Sequence, residues 1–193
     1  MTSRGQIILR RIAAYLADIV ILFAFVAASQ ALLVVSGLHP FIGDDKSDAP
    51  PAGLLHLWVI VSTTVPFLAY FTLAFASRRG ATLGQRAASV RVRTVSGARL
   101  SPPRAFVRAV VLLIPFELNH AAMLRLAPWA GGSDVSFMAA ASLVWVLIAT
   151  YLLLMLLRRD GRSAHDLAAG SIVEAAPAAA TQALRSSESA GVR

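Results

Sequence analysis

The sequence contains no cysteine, which excludes disulfides, thiolate metal sites and cysteine nucleophiles. Charge is also scarce. Only 15% of the 193 residues are charged, against about a quarter in soluble domains. Apolar residues reach 57%, so much of the surface must face something other than water. Acidic side chains are the rarer sign, 10 against 18 basic ones, for a net charge of +8. No Walker loop, dinucleotide-binding glycine fingerprint, HExxH motif or nucleophile elbow is present. An enzyme is therefore not expected, and neither a cofactor nor a metal is implied.

Long apolar runs are abundant. A crossing needs about 20 mostly apolar residues to traverse roughly 30 Å of hydrocarbon. Residues 12–37, 54–77 and 137–157 meet this. Residues 105–126 are weaker, because Pro115, Glu117, Asn119, His120 and Arg125 interrupt them. The basic residues decide the case. Arg4, Arg10 and Arg11 precede the first run, a dense arginine cluster from Arg78 to Arg108 follows the second, and Arg158, Arg159 and Arg162 follow the last. Lys46 lies in the opposite loop with Asp44, Asp45 and Asp48, and Arg125 and Asp134 also fall on that side. Basic loops stay in the cytoplasm, and only four crossings put every basic cluster there. The expectation is a bacterial plasma-membrane protein with both termini cytoplasmic. The positive charge then reads as a topology signal and a surface for anionic lipid, with no nucleic-acid partner. The N-terminal run is too long for a signal peptide and contains Asp18, so it is expected to remain as a crossing.

The central loop has local structure. Thr82 with Gln85 three residues later forms a capping box, predicting a short amphipathic helix to about Ser89 on the membrane surface. Residues 90–95 alternate as a strand, Ser96-Gly97 fits a turn, and residues 98–100 fit a return strand. Ser163-Ala164-His165-Asp166 is a second box-like tetrad, with Gly170 ending its helix and residues 171–174 a third strand. A tail from Ala175 has little to bury and is expected to be disordered.

Two acids lie inside apolar runs. Asp18 would cost about 2.5–3.5 kcal/mol at a helix centre, so polar neighbours must compensate it. Arg11 sits two turns earlier on the same face, with Tyr15 between them as a hydrogen-bond donor. Asp18 is then either an ion or proton site, or half of a structural ion pair with Arg11 or another arginine. Glu117 follows Pro115 and precedes Asn119 and His120, a broken-helix setting of the kind that holds ions in transporters; the plainer reading is a hydrated carboxylate near the outer interface. The alanine pairs Ala13/Ala17 and Ala24/Ala28 and the run 139–141 suit close helix approach. Trp58, Trp129 and Trp145 suit the membrane interface or a lipid-facing position.

Taken together, these elements resemble the RDD family of small bacterial membrane proteins. Arg10-Arg11-Ile12-Ala13-Ala14-Tyr15-Leu16-Ala17-Asp18 resembles its opening motif, with Arg11 the arginine and Asp18 the first aspartate. Gly80-Ala81-Thr82-Leu83-Gly84-Gln85-Arg86 resembles its central element, with Gln85 where the family usually has lysine. Arg108 stands where an arginine often opens the next span, and His165-Asp166 resembles the closing element, with Asp166 the second aspartate. The resemblance implies an all-helical membrane domain over residues 1–174: a four-helix bundle with a small cytoplasmic helix and β-hairpin cap. It also implies transport of an unidentified ligand, cation/proton antiport being one form. Four spans make a thin wall for a pathway, which would call for a homo-oligomer or a membrane-protein partner. The competing class is a non-transporting scaffold or assembly factor.

Overall fold

The computed structural model describes residues 3–42, 50–127 and 131–177. Lys46 and its neighbouring aspartates, Trp129, and the tail from residue 178 lie outside them. Four helices are long and apolar enough to cross a membrane. The first, α1 (Arg4–Val35), starts well before the apolar run because Ser3 and Gln6 form a capping box that extends it.

The second crossing is α2 (Ala52–Val59), a π-helical turn over Ile60–Thr64, and α3 (Val65–Ala76). Pro66 has no N–H to offer the helix ladder, and the π turn just before it absorbs the defect, with Val65 N–H donating to the Ile60 carbonyl. The third crossing is α5 (Pro102–Ala121) continued by a second π turn, Ala122–Leu126. Pro115 lies inside α5 without ending it. Its missing N–H leaves the Val111 carbonyl without its helical donor, and the Tyr151 hydroxyl donates there at 2.7 Å. Tyr151 belongs to α6 (Asp134–Leu157), the fourth crossing, so the proline defect fastens two crossings together.

The connections at one end of the bundle build a cap of α4 (Leu83–Ala87), β1 (Val90–Thr94), α7 (Ala164–Ala168) and β2 (Ser171–Ala175). The strands pair antiparallel, with Val92 opposite Val173. The expected hairpin is not formed. Residues 98–100 make no strand; Thr94 instead closes a tight turn, its N–H on the Ala98 carbonyl and its Oγ1 accepting from Ala98 N–H, both at 2.9 Å. Ser101, Pro102 and Pro103 turn the chain straight into α5, which leaves no length for a return strand. The edge of β1 is therefore filled by the segment after the last crossing, and Ala175, assigned to the tail by sequence, ends that strand.

Val90, Val92, Val173 and Leu100 of the cap join Ala105, Ala109, Phe67, Phe71 and Phe75 of the bundle in one core. The outward faces are apolar too: Leu16, Val20, Phe25, Trp145 and Leu153 are exposed, as expected where lipid is the solvent. The predicted alanine contacts are displaced. Ala13, Ala24, Ala28 and Ala139 are exposed, while Ala14, Ala105 and Ala109 occupy the close approaches. Helix α4 does not lie free on the membrane surface but packs on α1, with Gly84 and Gln85 buried.

Candidate functional site

The short cap helices and long spans bring together residues far apart in sequence. Asp166, in the first turn of α7, is fully buried between two guanidinium groups. Arg11 of α1 reaches it at 2.5 Å, and Arg108 of α5 at 2.8 Å. The Ser163 N–H adds a bond at 3.1 Å, which is the predicted box closing on itself. Two cations around one carboxylate leave a positive excess, and other groups absorb it. Arg11 also donates to the Gly161 carbonyl at 2.5 Å. The Arg108 guanidinium sits 4.1 Å from the centre of the Phe75 ring, a cation–π contact. Burial by itself raises the Asp166 carboxyl, and Arg108 foremost, with Arg11, overcomes it and holds the group well below the usual carboxylate range.

His165 stands next to this triad. It shares one bond with the Tyr15 hydroxyl at 2.9 Å, and its Nδ1 is buried with no hydrogen-bond partner among the described residues. Burial, first of all, pushes the imidazole down to about 3. Asp166 opposes this and the two arginines reinforce it, so His165 is neutral at physiological pH.

Asp18 is separate. It is 2% exposed and receives the Tyr70 hydroxyl at 2.8 Å, the Thr82 hydroxyl at 2.5 Å and the Gly84 N–H at 2.9 Å. No arginine pairs with it among the described residues. The expected bond from Tyr15 is absent, because Tyr15 turns to His165, and the expected pairing with Arg11 is absent, because Arg11 turns to Asp166. The geometry rests on Gly84: a β-carbon there would collide with the Ala14 carbonyl and the Asp18 carboxyl group. Thr82 works in both directions, accepting from Gln85 N–H at 3.1 Å while donating to Asp18. The capping box was legible in the sequence; its second task was not. Tyr70 was missed altogether; it is one of several hydroxyl side chains in its run, beside Ser62, Thr63, Thr64 and Thr72, and nothing in the spacing singles it out.

Glu117 belongs to a third polar group at the far end of the bundle. It accepts from Thr64 at 2.6 Å and lies 2.7 Å from His56 Nε2, while Arg125 donates to His56 Nδ1 at 2.9 Å. A histidine accepting at Nδ1 presents its proton at Nε2, so a neutral imidazole links the arginine to the carboxylate. Thr64 and Arg125 lie in the two π turns. Glu117 is thus held by two side chains from the second crossing helix while remaining partly exposed. His56 and Thr64 were not identified from the sequence. Asp18 and Glu117 do not meet.

An apolar cavity of about 460 Å³ lies between α1, α3, α5 and α6. Tyr15, Asp18, Ser163 and His165 contribute to its lining, but aliphatic and aromatic side chains such as Leu22, Phe67, Phe71 and Val144 make up most of it.

No curated protein and no solved structure matches this chain. The family model of the RDD family matches residues 7–170, from before Arg11 to beyond Asp166. The chain, a membrane protein, belongs to the RDD family.

Proposed function

We propose that this is a transport-related protein of the bacterial plasma membrane in which Asp18 takes up a proton or a small monovalent cation. The observation that carries the reading is Asp18 itself: a carboxylate buried in a crossing, served by three neutral donors and by no basic side chain among the described residues. Ionisable groups inside crossings are costly and commonly mark ion pathways. The carboxylate and the Tyr70 and Thr82 hydroxyls also form an all-oxygen set, which suits a hard cation. The arginines of the cap and its flanking segments support a cytoplasmic cap and cytoplasmic termini. The neighbouring cavity has mostly apolar walls, so a water-filled path through one copy is not favoured; an assembly of several copies is the form this reading takes.

A second reading, a scaffold or assembly factor, draws on the Asp166 triad, which ties α7 to α1 and α5.

Thermal unfolding in nanodiscs separates the two. A ligand bound only by the folded state raises stability as its concentration rises. Titration with sodium, with potassium and with choline as the inert salt is expected to stabilise wild type in one alkali cation, or with changing pH, and to leave Asp18→Asn unmoved. Equal responses of the two proteins to every condition would remove the cation reading and leave the scaffold.

A further inference from the structure

The cap carries a second concavity, of about 770 Å³, lined by Arg10, Arg78, Arg79, Arg86, Arg91 and Arg93. They come from four places: α1, the turn after α3, α4 and β1. Among the described residues no acidic side chain lines it. Glu174 lies beside it and pairs with Arg91 at 2.7 Å, so among the described residues the other five guanidinium groups have no carboxylate partner.

Topology alone asks only for basic residues near the ends of crossings. It does not ask six of them to converge on one basin, or that one be buried there. Arg93 is only 8% exposed. Its Nη1 is buried with no hydrogen-bond partner among the described residues, and its Nη2 makes one long bond, 3.3 Å, to the Arg78 carbonyl. The backbone is shaped around it. Gly80 has φ +62°, and a β-carbon there would lie 2.6 Å from the Val92 carbonyl and 2.9 Å from Arg93 Nη1. The Val92 N–H returns a 2.7 Å bond to the Gly80 carbonyl, which fixes the turn bearing Arg78 and Arg79 against β1. Burial foremost, and then the nearby Arg91 and Arg99, make it harder for Arg93 to hold its charge. An anion in the basin would relieve that.

We infer that this basin binds a phosphate-bearing anion, with Arg93 at its floor and Arg78 and Arg79 at its rim. A guanidinium presents paired N–H donors that match phosphate oxygens, and several converging arginines select a group of charge −2 or more over a single carboxylate. The volume leaves room for more than one phosphate. The phosphate can arrive on a phospholipid headgroup at the membrane surface or free in solution, and the chemistry of recognition is the same.

The test uses the full chain in phosphatidylcholine nanodiscs. Soluble pyrophosphate is titrated in by calorimetry, and separate nanodiscs doped with phosphatidic acid are compared with undoped ones by thermal unfolding, with and without pyrophosphate. Arg78→Gln/Arg79→Gln is the main variant, since both side chains are exposed and make no hydrogen bond or ion pair among the described residues, so folding is not at stake. Arg93→Gln is the second, and Arg159→Gln, outside the basin, is the control. The expected result is a loss of at least tenfold in affinity in the double variant and in Arg93→Gln, a weaker salt dependence, and no change in Arg159→Gln. Binding and competition by pyrophosphate assign a free phosphate; stabilisation by phosphatidic acid alone assigns a headgroup. If wild type responds to neither probe, or if the double variant and the control respond as wild type does, the inference is wrong.

Discussion

Arg11 and Asp166 lie 155 positions apart and meet at 2.5 Å, both out of contact with solvent. The contact joins the first crossing to the helix after the last one, and Arg108 brings in the third crossing at the same carboxylate. It also removes Arg11 from Asp18. Across the two turns that separate them, roughly 10 Å of rise, an Arg11–Asp18 attraction at an effective dielectric near 20 is worth roughly 2 kcal/mol. Asp18 therefore relies on its three hydrogen bonds. Bonds to a charged group contribute roughly 1.5–3 kcal/mol each, enough together to offset an intramembrane carboxylate.

Replacing Asp166 by asparagine leaves two buried guanidiniums without an anion. Breaking a buried pair from one side costs about 3–5 kcal/mol, and Asp166→Asn is expected to destabilise by that order in thermal unfolding. Glu174→Gln removes a partly exposed partner of Arg91 and is expected to cost under about 1 kcal/mol. Similar losses from the two substitutions would contradict the assignment of the Asp166 triad as the anchor of the cap.

Tyr70→Phe and Thr82→Val each delete one hydroxyl donor to Asp18 and are expected to cost about 1–3 kcal/mol. The sharper test is coupling. In double-mutant cycles with Asp18→Asn, Tyr70→Phe is expected to couple and Tyr15→Phe is not, because Tyr15 bonds His165. Coupling of Tyr15 with Asp18 would restore the pairing expected from sequence.

Gly84→Ala introduces a methyl group where the Ala14 carbonyl and Asp18 already stand. Helix α4 must then move off α1. Faster hydrogen exchange over residues 83–87 is expected, together with a lower melting temperature. Unchanged protection of α4 would mean that the close approach is not required.

Acid is expected to destabilise the cap in two steps. His165 falls from its ordinary 6.5 to about 3 on folding. Between those values the unfolded chain binds a proton that the folded chain does not, so stability falls as pH drops from 6.5 toward 3 and is unaffected above 6.5. Asp166 is held below its ordinary 3.8, so its contribution is present above 3.8 and is lost as pH falls further. Melting curves of His165→Gln and wild type from pH 7 to pH 4 are expected to differ in slope, with the variant flatter. Parallel curves would show that His165 does not titrate on unfolding.

Much of this arrangement was legible in the sequence because it is written locally. Apolar runs gave the four helices long enough to cross a membrane, the Thr82–Gln85 and Ser163–Asp166 spacings gave both short helices, and Arg11, Asp18 and Asp166 were singled out. What was not legible is which of them meet. The Arg11–Asp18 spacing on one helix face suggested a pair, but packing of α7 supplied Arg11 with a better-placed carboxylate, and Tyr70 reached Asp18 from another crossing. The sheet shows the same limit in part: residues 90–95 and 171–174 were both read as strands and do pair, but the return strand expected at residues 98–100 is not formed, because the chain turns straight into α5. The cluster of His56, Thr64, Glu117 and Arg125 depends on two π turns, which rotate side chains by an amount no 3.6-residue periodicity encodes.

The most direct measurement is cation and proton flux in proteoliposomes, with wild type, Asp18→Asn and Asp18→Glu compared at equal reconstitution and with folding checked by thermal unfolding. Flux above the empty-liposome rate is expected for wild type, a drop to that background for Asp18→Asn, and partial retention for Asp18→Glu. Wild-type flux that persists undiminished in Asp18→Asn, or no flux in well-folded wild type for any cation or for protons, contradicts the role assigned to Asp18.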